Sequence, residues 1–540
     1  MTTSPVLPRT SDRFAGTAMM LRLMLRREWL TITITLAVFL LLNVSTAASI
    51  NSMYPGAAER QAARAGLGAN SAFRFLLGPL DHTDSAASMT VWRAGLFMVA
   101  ALGVCVVLQV VRQTRKEEEL GRAELVRSGV VGPLAPLSAA AIAASVFSIV
   151  VALAMSLMLF PLGAEAADVA AVFAQYASTG MAAAGAALVT AQVAKTSHIA
   201  NMTAASVVLV GYLLRGVADS TGGWGWLRWL TPMGWAQLID PFGDNNLWFA
   251  LTSVVVFAAG WSLAAAVTNR RDLGGGLIAP RPGPADARHM GSIEVIVARL
   301  SAPLLGSWVG GVIVYGLVVG FMQPSVSQLA EGNSKFDEII RQTTTPADLE
   351  TLFGMTMMTF FAIAAGAWTV NLTTRMHGEE HAARTEVLLA TPASRSRFLF
   401  AYIEMAMLGV VAILASAVVS IIVGNALAGG DAGRAGADLV QAALAQLPAA
   451  LVVSSLVLAL YGIRSRLVML GWFIVLVALF LGPMSGMFDL PQWVKDLSPY
   501  THTPLVPVEP MRWLPVVVMA CLAAALVALA QAVFARRDVG

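Results

Sequence analysis

Charge is what this sequence most lacks. Only 12% of its 540 residues are Asp, Glu, Lys or Arg, while 57% are hydrophobic and the mean hydropathy is +0.71. A soluble domain carries about 25% charge. So little charge cannot clothe a water-facing surface, which excludes an ordinary soluble enzyme and places the chain in a bilayer. Cysteine is nearly absent too: Cys105 and Cys521 each fall in the middle of an apolar run. That excludes a disulfide framework and reads as two buried free thiols. Lysine occurs only at Lys116, Lys195, Lys335 and Lys495, after Arg115, Ala194, Ser334 and Val494. A phosphate-binding loop places its Lys directly after a Gly, so this chain has no such loop. If ATP drives its work, another polypeptide hydrolyses the ATP. The net charge of +3 and pI near 9.0 do not signal nucleic acid, because the basic residues sit in short loops and form no stripe. No secretory signal is expected, since the first apolar run is long enough to span.

What is present is a series of long apolar runs. About twenty apolar residues cross a bilayer core, and twelve candidates fall at 29–50, 91–111, 137–160, 171–193, 202–217, 247–267, 302–322, 352–370, 398–423, 439–460, 467–488 and 513–534. The expected fold is therefore an all-α polytopic membrane protein of twelve transmembrane helices. With both termini in the cytoplasm, most of the 35 Lys and Arg fall on the cytoplasmic side, as the positive-inside rule requires. Residues 16–28 mix Met and Leu with Arg22, Arg26 and Arg27, the pattern of an amphipathic helix lying on the inner surface before the first span.

The chain also repeats itself. Glu117-Glu118-Glu119-Leu120-Gly121-Arg122-Ala123-Glu124-Leu125-Val126 returns as Glu379-Glu380-His381-Ala382-Ala383-Arg384-Thr385-Glu386-Val387-Leu388, with Arg122 and Arg384 standing 262 residues apart. Trp226-Leu227-Arg228-Trp229-Leu230-Thr231-Pro232 is echoed by Trp493-Val494-Lys495-Asp496-Leu497-Ser498-Pro499, and Arg270-Arg271-Asp272 by Arg536-Arg537-Asp538. A period this long is a duplicated domain rather than a solenoid. An even number of spans in each half makes the duplication parallel, so both charged segments face the cytoplasm. The domains read as 1–268, a Gly-, Pro- and Arg-rich cytoplasmic linker at 269–299, and 300–540. The spacing of Glu118 with Arg122, and of Glu380 with Arg384, suits i,i+4 ion pairs on a short solvated helix. Appearing at the same place in both halves, the segment reads as a pair of handles for a soluble partner rather than an ordinary surface.

These residues resemble a known family. Glu379-Glu380…Arg384-Thr385-Glu386-Val387-Leu388-Leu389-Ala390-Thr391-Pro392-Ala393-Ser394-Arg395 is similar to the cytoplasmic motif of type-2 ABC exporter permeases. The copy at 117–129, with the Arg-Arg-Asp-Leu-Gly-Gly-Gly-Leu segment and the Arg-Pro-Gly-Pro after it, resembles the actinobacterial branch of antibiotic and multidrug exporters. The likeness covers the whole chain as two fused six-span permease domains. It implies contact with two copies of a separately encoded ATPase, which holds ATP and Mg, through Glu117, Glu118, Arg122, Glu124 and Arg127 and through Glu379, Glu380, Arg384, Glu386 and Arg395. This chain would bind no cofactor itself. The first copy departs from the pattern, reading Gly129-Val130-Val131-Gly132-Pro133 where the second has Thr391-Pro392.

Within the spans ionisable residues are few. Glu404, Arg93 and Arg215 read as interfacial or packing residues. That argues against a proton-coupled carrier and for an amphipathic or apolar cargo lodged near the interface of the halves. His377-Gly378-Glu379-Glu380-His381 matches the H-x-x-E-H pattern of inverted zinc peptidases. The first half has no His there, so zinc is not expected. Gly306-x-x-x-Gly310 and Gly316-x-x-x-Gly320 suit tight helix packing. The outer segments 51–90 and 323–350 are too long for turns and serve either as an exit gate or as passive covers.

Overall fold

The computed structural model describes residues 13–537, apart from 69, 130, 221–222, 272–290, 332–345, 391, 393 and 484–490, and leaves the side chains of 72, 127, 325–331 and 346–348 undescribed. All regular structure among the described residues is helical. The chain divides into two compact units, Met1–Pro282 and Gly283–Gly540.

The long helices of the first unit are α1 (Thr17–Met53), α2 (Leu96–Gln113), α3 (Ala135–Leu157), α4 (Ala166–Val193), α5 (Ser197–Ser220) and α6 (Trp248–Thr268). Those of the second are α7 (Ile293–Glu331), α8 (Pro346–His381), α9 (Arg395–Leu427), α10 (Ala432–Ile463), α11 (Leu470–Leu481) and α12 (Trp513–Arg536). Eleven of the twelve are long and apolar enough to cross a membrane, so this is a multi-pass membrane protein. The exception is α11, at about 18 Å of helix. It stops at Gly482-Pro483, and the rest of the run expected to reach residue 488 lies outside the described residues.

The second and fourth helices of each unit, α2 and α4 or α8 and α10, are the buried ones, and the first and last helices expose large apolar side chains as lipid-facing helices do. Small residues let the helices approach closely. A Cβ on Gly260 would lie 2.7 Å from the Gly185 carbonyl, so α4 and α6 touch backbone to backbone. In the second unit the Gly320 and Gly424 positions do the same for α7 and α9. Gly306 and Gly310, expected to pack likewise, meet nothing within 4 Å. Ten residues of helix turn the face by about 80°, which takes that pair away from α9.

Other expectations need correction. The amphipathic segment at 16–28 is no separate surface helix. From Thr17 to Met53 no Gly or Pro interrupts the chain, and it forms one continuous helix. The linker expected at 269–299 lies mostly outside the described residues, and its last part, 293–299, is the start of α7. Cys105 is only half-buried and Cys521 is exposed on α12.

Candidate functional site

Both charged segments fold into the same elbow. In the first unit α2 breaks at Thr114, and a short helix, Arg115–Glu119, follows. Gly121 then takes a left-handed conformation (φ 71°), which redirects the chain into a second short helix, Arg122–Arg127. In the second unit α8 itself runs on to His381, Ala383 takes the left-handed turn (φ 55°), and Arg384–Leu389 follows. The Gly121 and Ala383 amides donate at 3.0 Å to the Glu118 and Glu380 carbonyls, fixing the corner in each copy.

The corner decides where the acids point. The i,i+4 pairs expected from sequence do not form. Arg122 pairs instead with Glu117 at 3.1 Å, and Arg384 with Glu379 at 2.9 Å, both on the exposed side of the elbow. Glu118 and Glu380 turn inward. Glu118 accepts from Arg271 at 2.5 Å and from Arg115 at 2.9 Å. Glu380 accepts from Arg537 at 2.5 Å and from the Tyr461 hydroxyl at 2.6 Å. Arg271 and Arg537 are the matching residues of the duplicated Arg-Arg-Asp segment that follows α6 and ends α12. In each unit, then, the elbow is tied to the end of the last helix.

Further bonds hold it to the fourth helix or its end. Arg115 donates to the Lys195 carbonyl at 2.9 Å, Arg271 to Gln192 at 2.8 Å, and Arg537 to the Tyr461 carbonyl at 2.6 Å. Glu119 accepts from the Ser197 amide and hydroxyl at 2.6 Å, pinning the start of α5. Arg395 donates to the Arg537 carbonyl at 2.8 Å.

The residues implicated by resemblance therefore divide into two sets. Glu118, Glu380 and Arg395 face inward and brace the elbow. Arg122, Glu124, Arg384 and Glu386 are exposed, and Glu117 and Glu379 are half-buried beside them. The Arg127 side chain lies outside the described residues. Of the histidine pattern, the rings of His377 and His381 sit edge to face at 5.1 Å, and Glu380, the base such chemistry needs, is occupied by Arg537 and Tyr461.

Residues 295–535 match the family model described as "Multidrug efflux system permease Rv1217c, C-terminal domain". Over 543 aligned residues the chain is 32% identical to the multidrug efflux system permease protein Rv1217c of Mycobacterium tuberculosis (strain ATCC 25618 / H37Rv), covering 98% of this chain and 97% of that protein. The chain belongs to this family of multidrug efflux permeases.

Sequence reasoning overlooked two features of the permease. The first is the apolar tip of each elbow: Leu125 is 75% exposed and Val387, 262 residues on, is 70% exposed. Both stand among charges and carry the repeat's register, which was the available signal. The second is a polar clamp opposite the motif end of the first unit. Arg215, expected as an interfacial or packing residue, is fully buried and pairs with fully buried Asp219 at 3.1 Å. Asp219 also accepts from Arg228 and Gln237, and Arg215 donates to the Phe75 and Leu76 carbonyls at 3.0 and 2.9 Å. The 51–90 segment is thus docked onto α5. Of the other outer segment, 323–350, most lies outside the described residues or side chains.

Proposed function

We propose that the permease is the membrane-spanning subunit of an ATP-driven exporter of the type-2 ABC kind. It moves amphipathic or hydrophobic compounds such as antibiotics, other drugs or lipids outward across the bacterial cytoplasmic membrane, with both termini in the cytoplasm. ATP and Mg reside on two copies of a separately encoded ATPase, one at each elbow. The observation that carries this reading is the repeated elbow, anchored inward by an acid–Arg pair and presenting outward an exposed apolar residue flanked by charges. An apolar side chain ringed by charge on a braced corner is a docking feature rather than a lipid-facing one. In the mechanism, ATP binding draws the two ATPases together. Each elbow, tied to the last helix of its unit through Glu118–Arg271 or Glu380–Arg537, passes that motion to the spans as a rigid displacement.

Co-expression with the candidate ATPase tests this. Wild type is expected to co-purify with two ATPases per chain, Leu125→Asp with one, and the Leu125→Asp/Val387→Asp double variant with none. Unchanged binding by the double variant contradicts the site. A wild-type chain that binds no ATPase and transports on an imposed proton gradient is instead a secondary carrier.

A further inference from the structure

Beside the first elbow lies a cavity of about 360 Å³, wholly within the first unit, between the start of α1, the end of α2 and the start of α3. That volume suits a small drug-like molecule, and such sites are mostly apolar with a few placed polar groups. Here Met24, Val126, Pro136 and Leu137 supply apolar wall. The charges at its rim are already paired: Glu28 with Arg112, Glu117 with Arg27 and Arg122, and Glu118 with Arg115 and Arg271. The cavity therefore presents no unpaired carboxylate or guanidinium to a ligand.

Gln113 breaks the pattern. It lines the cavity, is 7% exposed, and neither its amide nitrogen nor its amide oxygen has a partner. Gln109, one turn further into the membrane on the same face of α2, is 4% exposed and equally unpartnered at both atoms. Unpaired amides in an apolar interior are costly, and native proteins satisfy them. Water alone satisfies them but leaves the apolar wall without a purpose. At position 375, which is 262 residues beyond Gln113, the second unit carries an exposed Arg.

We infer that this cavity of the first unit is a cargo-loading subsite. It takes an uncharged amphipathic molecule whose polar edge offers a donor beside an acceptor, as a carboxamide, lactam or urea does. The ligand's edge pairs with the Gln113 amide while its apolar part lies against Met24 and Leu137. Since Glu117, Glu118, Arg122 and Leu125 also line the cavity, the occupant touches the corner that docks the ATPase. The cargo role rests on the exporter reading; the binding site does not.

The test is photolabelling of the full-length chain in phosphatidylcholine nanodiscs, without ATPase or ATP, so that its failure leaves the exporter reading untouched. The probe is a dodecanamide bearing a chain diazirine, with a dodecyl methyl ether bearing the same group as control. Labelling is expected in peptides covering 20–28 and 122–137, and falls about tenfold in Gln113→Leu, the loss of two hydrogen bonds. Gln113→Leu removes unpaired polar atoms, so its folding is not compromised. Met24→Trp, which fills the cavity, is expected to abolish labelling. Equal labelling by the ether, or full labelling of Gln113→Leu, overturns the site. Competition by soluble N-hexylacetamide supports a small drug-like occupant; competition by a short-chain ceramide alone overturns that assignment in favour of a membrane lipid.

Discussion

The two ion pairs of the second elbow ought to differ sharply in strength, and the difference follows from burial. Glu380 and Arg537 meet at 2.5 Å with side chains 14% and 13% exposed, and Tyr461 donates to the same carboxylate. Glu379 and Arg384 meet at 2.9 Å, but the arginine is 67% exposed. With the charge centres taken as about 4 Å apart and an effective dielectric near 20, the inner attraction is about 4 kcal/mol, and roughly half is offset by desolvation, leaving a coupling of about 2 kcal/mol. For the outer pair, screening and side-chain entropy hold the coupling to roughly 0.5 kcal/mol or less. Double-mutant cycles, Glu380→Gln with Arg537→Gln and Glu379→Gln with Arg384→Gln, measure both. The readout is amide exchange across 376–390 in nanodiscs, since local opening there reports whether the elbow stays docked. An inner coupling no larger than the outer one would falsify the division of the motif into a bracing face and a presenting face.

Other predictions rest on single positions. Replacing Asp219 by Asn strands the fully buried Arg215 charge and costs about 3–5 kcal/mol, seen as protease sensitivity of residues 57–77, whereas Asp84→Asn leaves that segment protected. Ala383→Gly relieves a left-handed alanine and stabilises the second elbow by roughly 0.5–1 kcal/mol. Gly121→Ala, with nothing within 4 Å of its new Cβ, costs a similar amount, and thermal denaturation compares the two. Gly320→Leu drives a side chain into the Ile421 carbonyl and separates α7 from α9, so folded yield collapses on size exclusion. Gly310→Leu, facing open space, leaves that yield unchanged.

The sequence made the helical membrane architecture, the duplication and the charged motif legible, because each is written in local composition or in a fixed offset. It did not reveal which partners the motif acids take. Glu118 finds Arg271 across 153 residues of chain, and only the left-handed corner at Gly121 turns it that way. Arg271 and Arg537 are legible as a repeat, yet nothing local joins them to the acids. Asp219 stands one helical turn from Arg215 but lies beyond the apolar run that ends at residue 217, so hydropathy does not join the two. Likewise Gln109 and Gln113 sit in plain view at i,i+4, but only the fold shows that no neighbour satisfies them. Of the run expected at 467–488, the described part forms helix to Leu481 and meets Gly482-Pro483, a stop signal that hydropathy does not register.

The central claim, that ATP drives this permease through its elbows, is tested most directly in inside-out vesicles containing the chain and its candidate ATPase. Uptake of an amphipathic fluorescent drug is followed with the proton gradient clamped at zero. The account predicts uptake that requires ATP, stops with vanadate, and is lost in the Leu125→Asp/Val387→Asp double variant while the protein remains folded. Uptake that proceeds without the ATPase on a proton gradient alone, or that survives in the double variant, contradicts it.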